Sequence, residues 1–122
     1  MPVARAVRER CRGLMEADEE IRYVFPATLS GTPGPAYFLV VVGDRRILVL
    51  ATRYFDRDTP IDIYQALPRR TRLGPVEFGP MPTIRIGATH FNVNEEYLAV
   101  VTAADAEVFA PETLPLDPLP DL

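Results

Sequence analysis

The stretch that decides the fold reads Ala36-Tyr37-Phe38-Leu39-Val40-Val41-Val42, then Gly43-Asp44-Arg45, then Arg46-Ile47-Leu48-Val49-Leu50-Ala51. Two runs rich in β-branched residues flank a short turn of glycine, aspartate and arginine, which is the pattern of an antiparallel hairpin. Upstream, Ile21, Tyr23, Phe25 and Ala27 alternate with Arg22, Val24 and Pro26, a half-buried strand whose proline suits an edge or a bend. Leu29 to Pro35 is a loop by composition. Downstream, Arg53 to Pro60 reads as a charged loop and Ile61 to Ala66 alternates as a fourth strand. Leu67 to Pro75 is a basic segment bounded by prolines, and Val76 to Phe78 is a short strand closed by Gly79-Pro80-Met81-Pro82. Thr83 to Gly87 and His90 to Val93 form a second hairpin around Ala88-Thr89.

The ends of the chain change period. Val3, Val7, Cys11, Leu14 and Met15 fall on one stripe, so Val3 to Glu16 is predicted as a helix with arginines largely off that stripe. Gly13 weakens its last turn. The run Asp18-Glu19-Glu20 marks a solvated joint before the strands. Near the other end, Asn94 is an N-cap, with Glu95 and Glu96 placed for the positive end of a helix dipole. Tyr97, Val101, Ala104 and Val108 would share one helical face. Val100, Val101 and Thr102 also fit a strand, while the alanine-rich residues that follow favour helix. Pro111, Pro115, Pro118 and Pro120 exclude a further regular element, so 111–122 is expected to be an extended tail. The expected organisation is a leading helix over 1–17, a domain over 18–110 and the tail. Strands first and a helix last give an α+β fold, a curled antiparallel sheet or partly open barrel of about seven strands with the closing helix against it.

Composition narrows the function. A length of 122 residues suits one domain that builds its own core without staples. A net charge of −4 argues against nucleic acid. The single cysteine permits no internal disulfide, and the charged N-terminus lacks the apolar segment of a signal peptide, so a cytoplasmic location is expected.

The order of elements resembles the pleckstrin-homology-like superfold. The acidic joint leading into Ile21-Arg22-Tyr23-Val24-Phe25, the turn Gly43-Asp44-Arg45 before an apolar strand, Leu67-Pro68-Arg69-Arg70-Thr71-Arg72-Leu73-Gly74-Pro75 and Ala103-Ala104-Asp105-Ala106 look like small bacterial, actinobacterial members. The likeness covers roughly residues 14–109. It departs in having glycine where those members carry threonine in the turn, and in lacking a tryptophan near the second hairpin. Members that bind phosphoinositides use basic residues on the first two strands and the loop between them. Here the loop Leu29–Pro35 has no basic residue, so the resemblance does not imply such a site.

The chemistry-bearing residues are few. Ser30 and His90 are the lone serine and histidine, and neither sits in a nucleophile motif. Asp56, Asp58 and Asp62 are too short a series for a calcium loop, and zinc spacing is absent. Cys11, although near Arg10 and Arg12, reads as a small apolar residue on a helix face. No cofactor and no metal are expected. The candidate contact residues are Arg69, Arg70 and Arg72, together with Leu114, Pro115, Leu116, Pro118 and Leu119 of the tail. The sequence therefore points to a non-catalytic binding or scaffolding module acting through a protein partner or self-association. Peripheral attachment to anionic membrane lipid through the first helix and the same arginines is the alternative. A small-ligand domain or enzyme would need a pocket containing Tyr54, Tyr64 or His90.

Overall fold

The computed structural model describes residues 3–31, 37–53 and 56–110. Helix α1 (Arg5–Arg12) precedes strands β1 (Ile21–Leu29), β2 (Tyr37–Gly43), β3 (Arg46–Arg53), β4 (Asp56–Pro68), β5 (Thr83–Ile86) and β6 (Thr89–Asn92). A 3-10 turn (Glu95–Tyr97) then leads into helix α2 (Leu98–Phe109). Among the described residues the strands form one six-stranded antiparallel sheet in the order β4-β3-β2-β1-β6-β5. The fold is α+β, as the sequence implied.

The β2–β3 hairpin sits at the centre and is buried on both faces. On one face Phe38, Val40, Val42, Ile47 and Val49 join Phe25 of β1 and Val100, Val101 and Ala104 of α2. On the other, Val24, Leu39, Val41, Leu48 and Leu50 meet Val7 and Cys11 of α1. Val24, expected on the solvent side of a half-buried strand, is fully buried because α1 covers that side.

A further expectation is corrected. About seven strands were anticipated, but Val76–Phe78 contributes only an isolated bridge, Glu77 to Thr83. Its neighbours Gly79, Pro80 and Pro82 leave too little pairing sequence for a strand. Among the described residues the sheet is open, with β4 and β5 at its two edges. Side chains join β4 to the β5–β6 turn, with Gln65 Nε2 donating to Thr89 Oγ1 at 2.8 Å. Leu67 packs so close to the same turn that a Cβ on Gly87 would lie 3.3 Å from it, and Gly87 also has φ of 62°, where glycine is favoured.

The flanking elements are pinned by side chains. Helix α1 stops at Arg12 rather than near Glu16, with Gly13 after it. Glu19, placed by the sequence in a solvated joint, is instead 2% exposed. Arg46 holds it with two charge-assisted bonds, from Nε at 2.9 Å and Nη2 at 2.6 Å, and the Glu16 amide donates to it at 2.9 Å. The bond from Arg46 keeps the Glu19 carboxyl below its ordinary range despite burial. At the other end Asn94 caps as expected, its side-chain oxygen accepting from the Glu96 amide at 3.1 Å. Tyr97 ends the 3-10 turn and residues 98–102 are α-helical, resolving the strand alternative. No helix among the described residues is long and apolar enough to cross a membrane.

The α1 face gives a direct test. Leu48→Ala, made at a position 1% exposed, should lower stability by about 2–5 kcal/mol in a denaturant titration. Cys11 is fully buried, and burial pushes its thiol up to about 11. Iodoacetamide should therefore leave it unlabelled in the native wild type and label it faster in Leu48→Ala.

Candidate functional site

Beyond Pro68 the chain turns off β4, with the Thr71 amide donating to the Pro68 carbonyl at 3.1 Å. This turn carries the three arginines singled out by sequence, and the structure gathers them at the C-terminal end of α2 in unequal roles. Arg69 points inward. Its Nη2 donates to the Ala104 carbonyl at 3.0 Å and lies 3.6 Å from Glu107, with 10% of its side chain exposed. Arg70 and Arg72 are exposed, and their guanidinium carbons lie 5.5 and 4.1 Å from the centre of the Phe109 ring. Both distances suit cation–π attraction.

The residues that fasten this end were missed by sequence reasoning. Asp105 accepts from the backbone amides of Leu73 and Gly74 at 2.8 Å each. Glu107 accepts from Tyr23 Oη at 2.7 Å and Arg22 Nε at 3.0 Å. Burial pushes the Glu107 carboxyl up, but the bonds from Tyr23 and Arg22 and the Arg22 and Arg69 charges outweigh it, leaving it below its ordinary value. Tyr23 is pushed up to about 12 by burial and by that carboxylate. A signal was available. Carboxylates in the last turns of a helix face the negative end of its dipole, so two of them there imply dedicated donors.

The second feature is β4 itself. The strand runs through the predicted charged loop, and among the described residues no strand pairs with its outer edge. Its register on β3 slips between Val49 and Leu50 and again between Ala51 and Thr52, which leaves Tyr64 and Ile61 as bulged residues. Those bulges turn large apolar side chains to solvent: Ile61 is 57% exposed and Tyr64 49%, with Ile63 beside them at 37%. Tyr64 also packs on Phe38, with ring centres 4.9 Å apart, so its backbone position is tied to the core.

Among the described residues the remaining candidates lie apart from one another. A cavity of about 350 Å³ lies between Arg72–Val76 and α2, and one of about 370 Å³ lies across the same segment beside Glu77 and Arg85. Another of about 350 Å³ sits by Val3, Pro26, Arg57 and Tyr97. Neither Tyr64 nor His90 lines these cavities, and Tyr54 lies outside the described residues, as do Leu114, Pro115, Leu116, Pro118 and Leu119. His90 and Ser30 are exposed at the surface. Asp56 accepts from the Thr59 hydroxyl and the Asp58 amide, while Asp62 accepts from the Ile63 amide. Among the described residues no three His, Cys, Asp or Glu side chains converge as metal ligands.

Glu107 and Glu19 both have carboxyls depressed in the folded state, so each contributes stability that is full above the unfolded value of about 4.5. That contribution is lost as pH falls through the lower folded values. Chemical denaturation across that acid limb should show stability declining, and Glu107→Gln should make the decline shallower. Asp105→Ala leaves two backbone donors unpaired and should cost about 1–3 kcal/mol at neutral pH. Set against protein families, curated proteins and solved structures, the chain matches no family model, no curated protein and no solved structure.

Proposed function

We propose that this chain is a non-catalytic, PH-like binding module that acts through protein contacts, and that the outer edge of β4 is its contact surface. The observation that carries the reading is the bulged, unpaired edge displaying Ile61, Tyr64 and Ile63. Open N–H and C=O groups beside apolar side chains invite another strand, and the bulges and prolines of β4 confine that opening to residues 61–67. Here the bulges turn isoleucine and tyrosine outward, which suits a surface that is covered in use. The PH-like assignment is supported by the strand order and by α2 following the last strand.

Attachment to anionic lipid is the weaker alternative. Helix α1 buries Val7 and Cys11 against the sheet and has no apolar face left to insert. Arg69 is committed to Ala104 and Glu107, which leaves Arg70 and Arg72 of the predicted cluster.

The reading is tested by comparing the full chain with an Ile61→Lys, Ile63→Lys variant. Backbone amide exchange of residues 61–67 would be followed at high protein concentration, alongside recovery of stoichiometric protein partners from lysate. Protection or a partner present in the wild type and lost in the variant is expected. Exchange and recovery identical in the two proteins would overturn the assignment of β4.

A further inference from the structure

Residues 111–122 match the groove beside the end of α2 in position, length and charge, and we infer that this C-terminal segment folds back to fill the groove on its own domain. β4 contributes no residue to the groove's described lining, so the two surfaces stand or fall separately.

The chain leaves α2 inside this groove. The cavity of about 350 Å³ between Arg72–Val76 and α2 is lined by Val101, Asp105 and Phe109, on successive turns of the helix, and by the C-cap residue Ala110. Ala110 has already left helical geometry, with φ of −150° and ψ of 56°, and Pro111 follows, which cannot continue the helix. From Ala110 back to Val101 the groove follows α2 for about 13 Å. With Pro111 to Thr113 making the reversal, Leu114 to Leu119 in extended polyproline form cover about 15 Å, much the same span.

The groove is apolar with positive charge at its rim. Pro75, Val76, Val101 and Phe109 supply the apolar lining, and Phe78, just beyond Val76 in the chain, is 76% exposed. Arg72 also lines it and is exposed, and the guanidinium groups of Arg70 and Arg72 stand over the Phe109 ring. Asp105 is the acid of the described lining, and both its oxygens accept from the Leu73 and Gly74 amides, which offsets its charge.

The segment is the complement of that surface. Residues 111–122 hold four leucines, four prolines and the acids Glu112, Asp117 and Asp121, with no basic residue. Polyproline form has about three residues per turn, so Leu116, Leu119 and Leu122 share one edge. That edge meets Val76 and Val101, while Glu112 and Asp117 come within reach of Arg70 and Arg72. A chain restrained by prolines loses little freedom on docking, and its short tether holds it at an effective concentration on the order of millimolar. A weak contact therefore suffices to keep the groove filled.

Paramagnetic broadening in the full chain tests this. A nitroxide is attached through Asp121→Cys, and Cys11, fully buried, does not compete for the label. The backbone amides of Val76, Thr102 and Ala106 should lose intensity and regain it when the nitroxide is reduced. Leu116→Asp with Leu119→Asp should lower the docking equilibrium by about tenfold or more. Arg72→Glu should lower it severalfold, whereas Arg72→Lys should retain it. Circular dichroism checks that each variant is folded. Sharp signals at all three amides, or broadening that survives the leucine substitutions, overturns the inference. Equal broadening in isotope-labelled wild type mixed with spin-labelled chain would come from a second copy, and overturns docking within one chain.

Discussion

The structure depends on one constraint: the central hairpin is apolar on both faces. Val40, Val42, Ile47 and Val49 face one way, and Leu39, Val41, Leu48 and Leu50 face the other. A sheet with one apolar face can leave the second in water, whereas this one needs cover on both. Helix α1 supplies one cover, and α2 with Leu73 supplies the other. The same requirement explains the contrast with β4, which lies at the margin of both covers and is exposed along most of its length.

The covers are held in place by carboxylates as well as by apolar contact. Glu19 ties the end of the α1 region to the start of β3 through Arg46. Asp105 and Glu107 tie the end of α2 to the turn after β4 and to β1. These differ from the exposed pair of Arg45 with Asp18, whose side chains are 55% and 62% exposed and which contributes little. Because Arg69 belongs to the inner set, the arginine cluster is divided between internal anchoring and display.

Much of this was legible in the sequence, for stated physical reasons. The two hairpins, the α1 stripe and the Asn94 cap are local patterns and the chain forms them, although α1 ends four residues early at Arg12 and the second hairpin turns at Gly87-Ala88. What escaped depends on contacts distant in sequence. The burial of Glu19 requires Arg46, and the placement of Asp105 requires the amides of Leu73 and Gly74. The extension of β4 through Asp56 to Pro60 was hidden because the stretch has loop composition. Pairing with Ala51 to Arg53 across three register shifts makes it a strand, and no single-strand alternation could reveal that. The exposed edge was obscured in turn, since its Ile61, Ile63 and Tyr64 look like core residues until the strand order is known.

The strand order also carries a consequence in time. From β1 to β4 every neighbour in the sheet is also the next strand in the chain, so this meander needs only short loop closures. Within the sheet, the later strands pair with it through Thr28 with Asn92 and Leu29 with Phe91, extended by the Ser30 amide donating to the His90 carbonyl at 3.0 Å. During synthesis the first half can fold as it leaves the ribosome, yet the face that receives α2 stays bare until the end of the domain has been made. The nascent meander is thus the stage at which a holding chaperone has the most to protect.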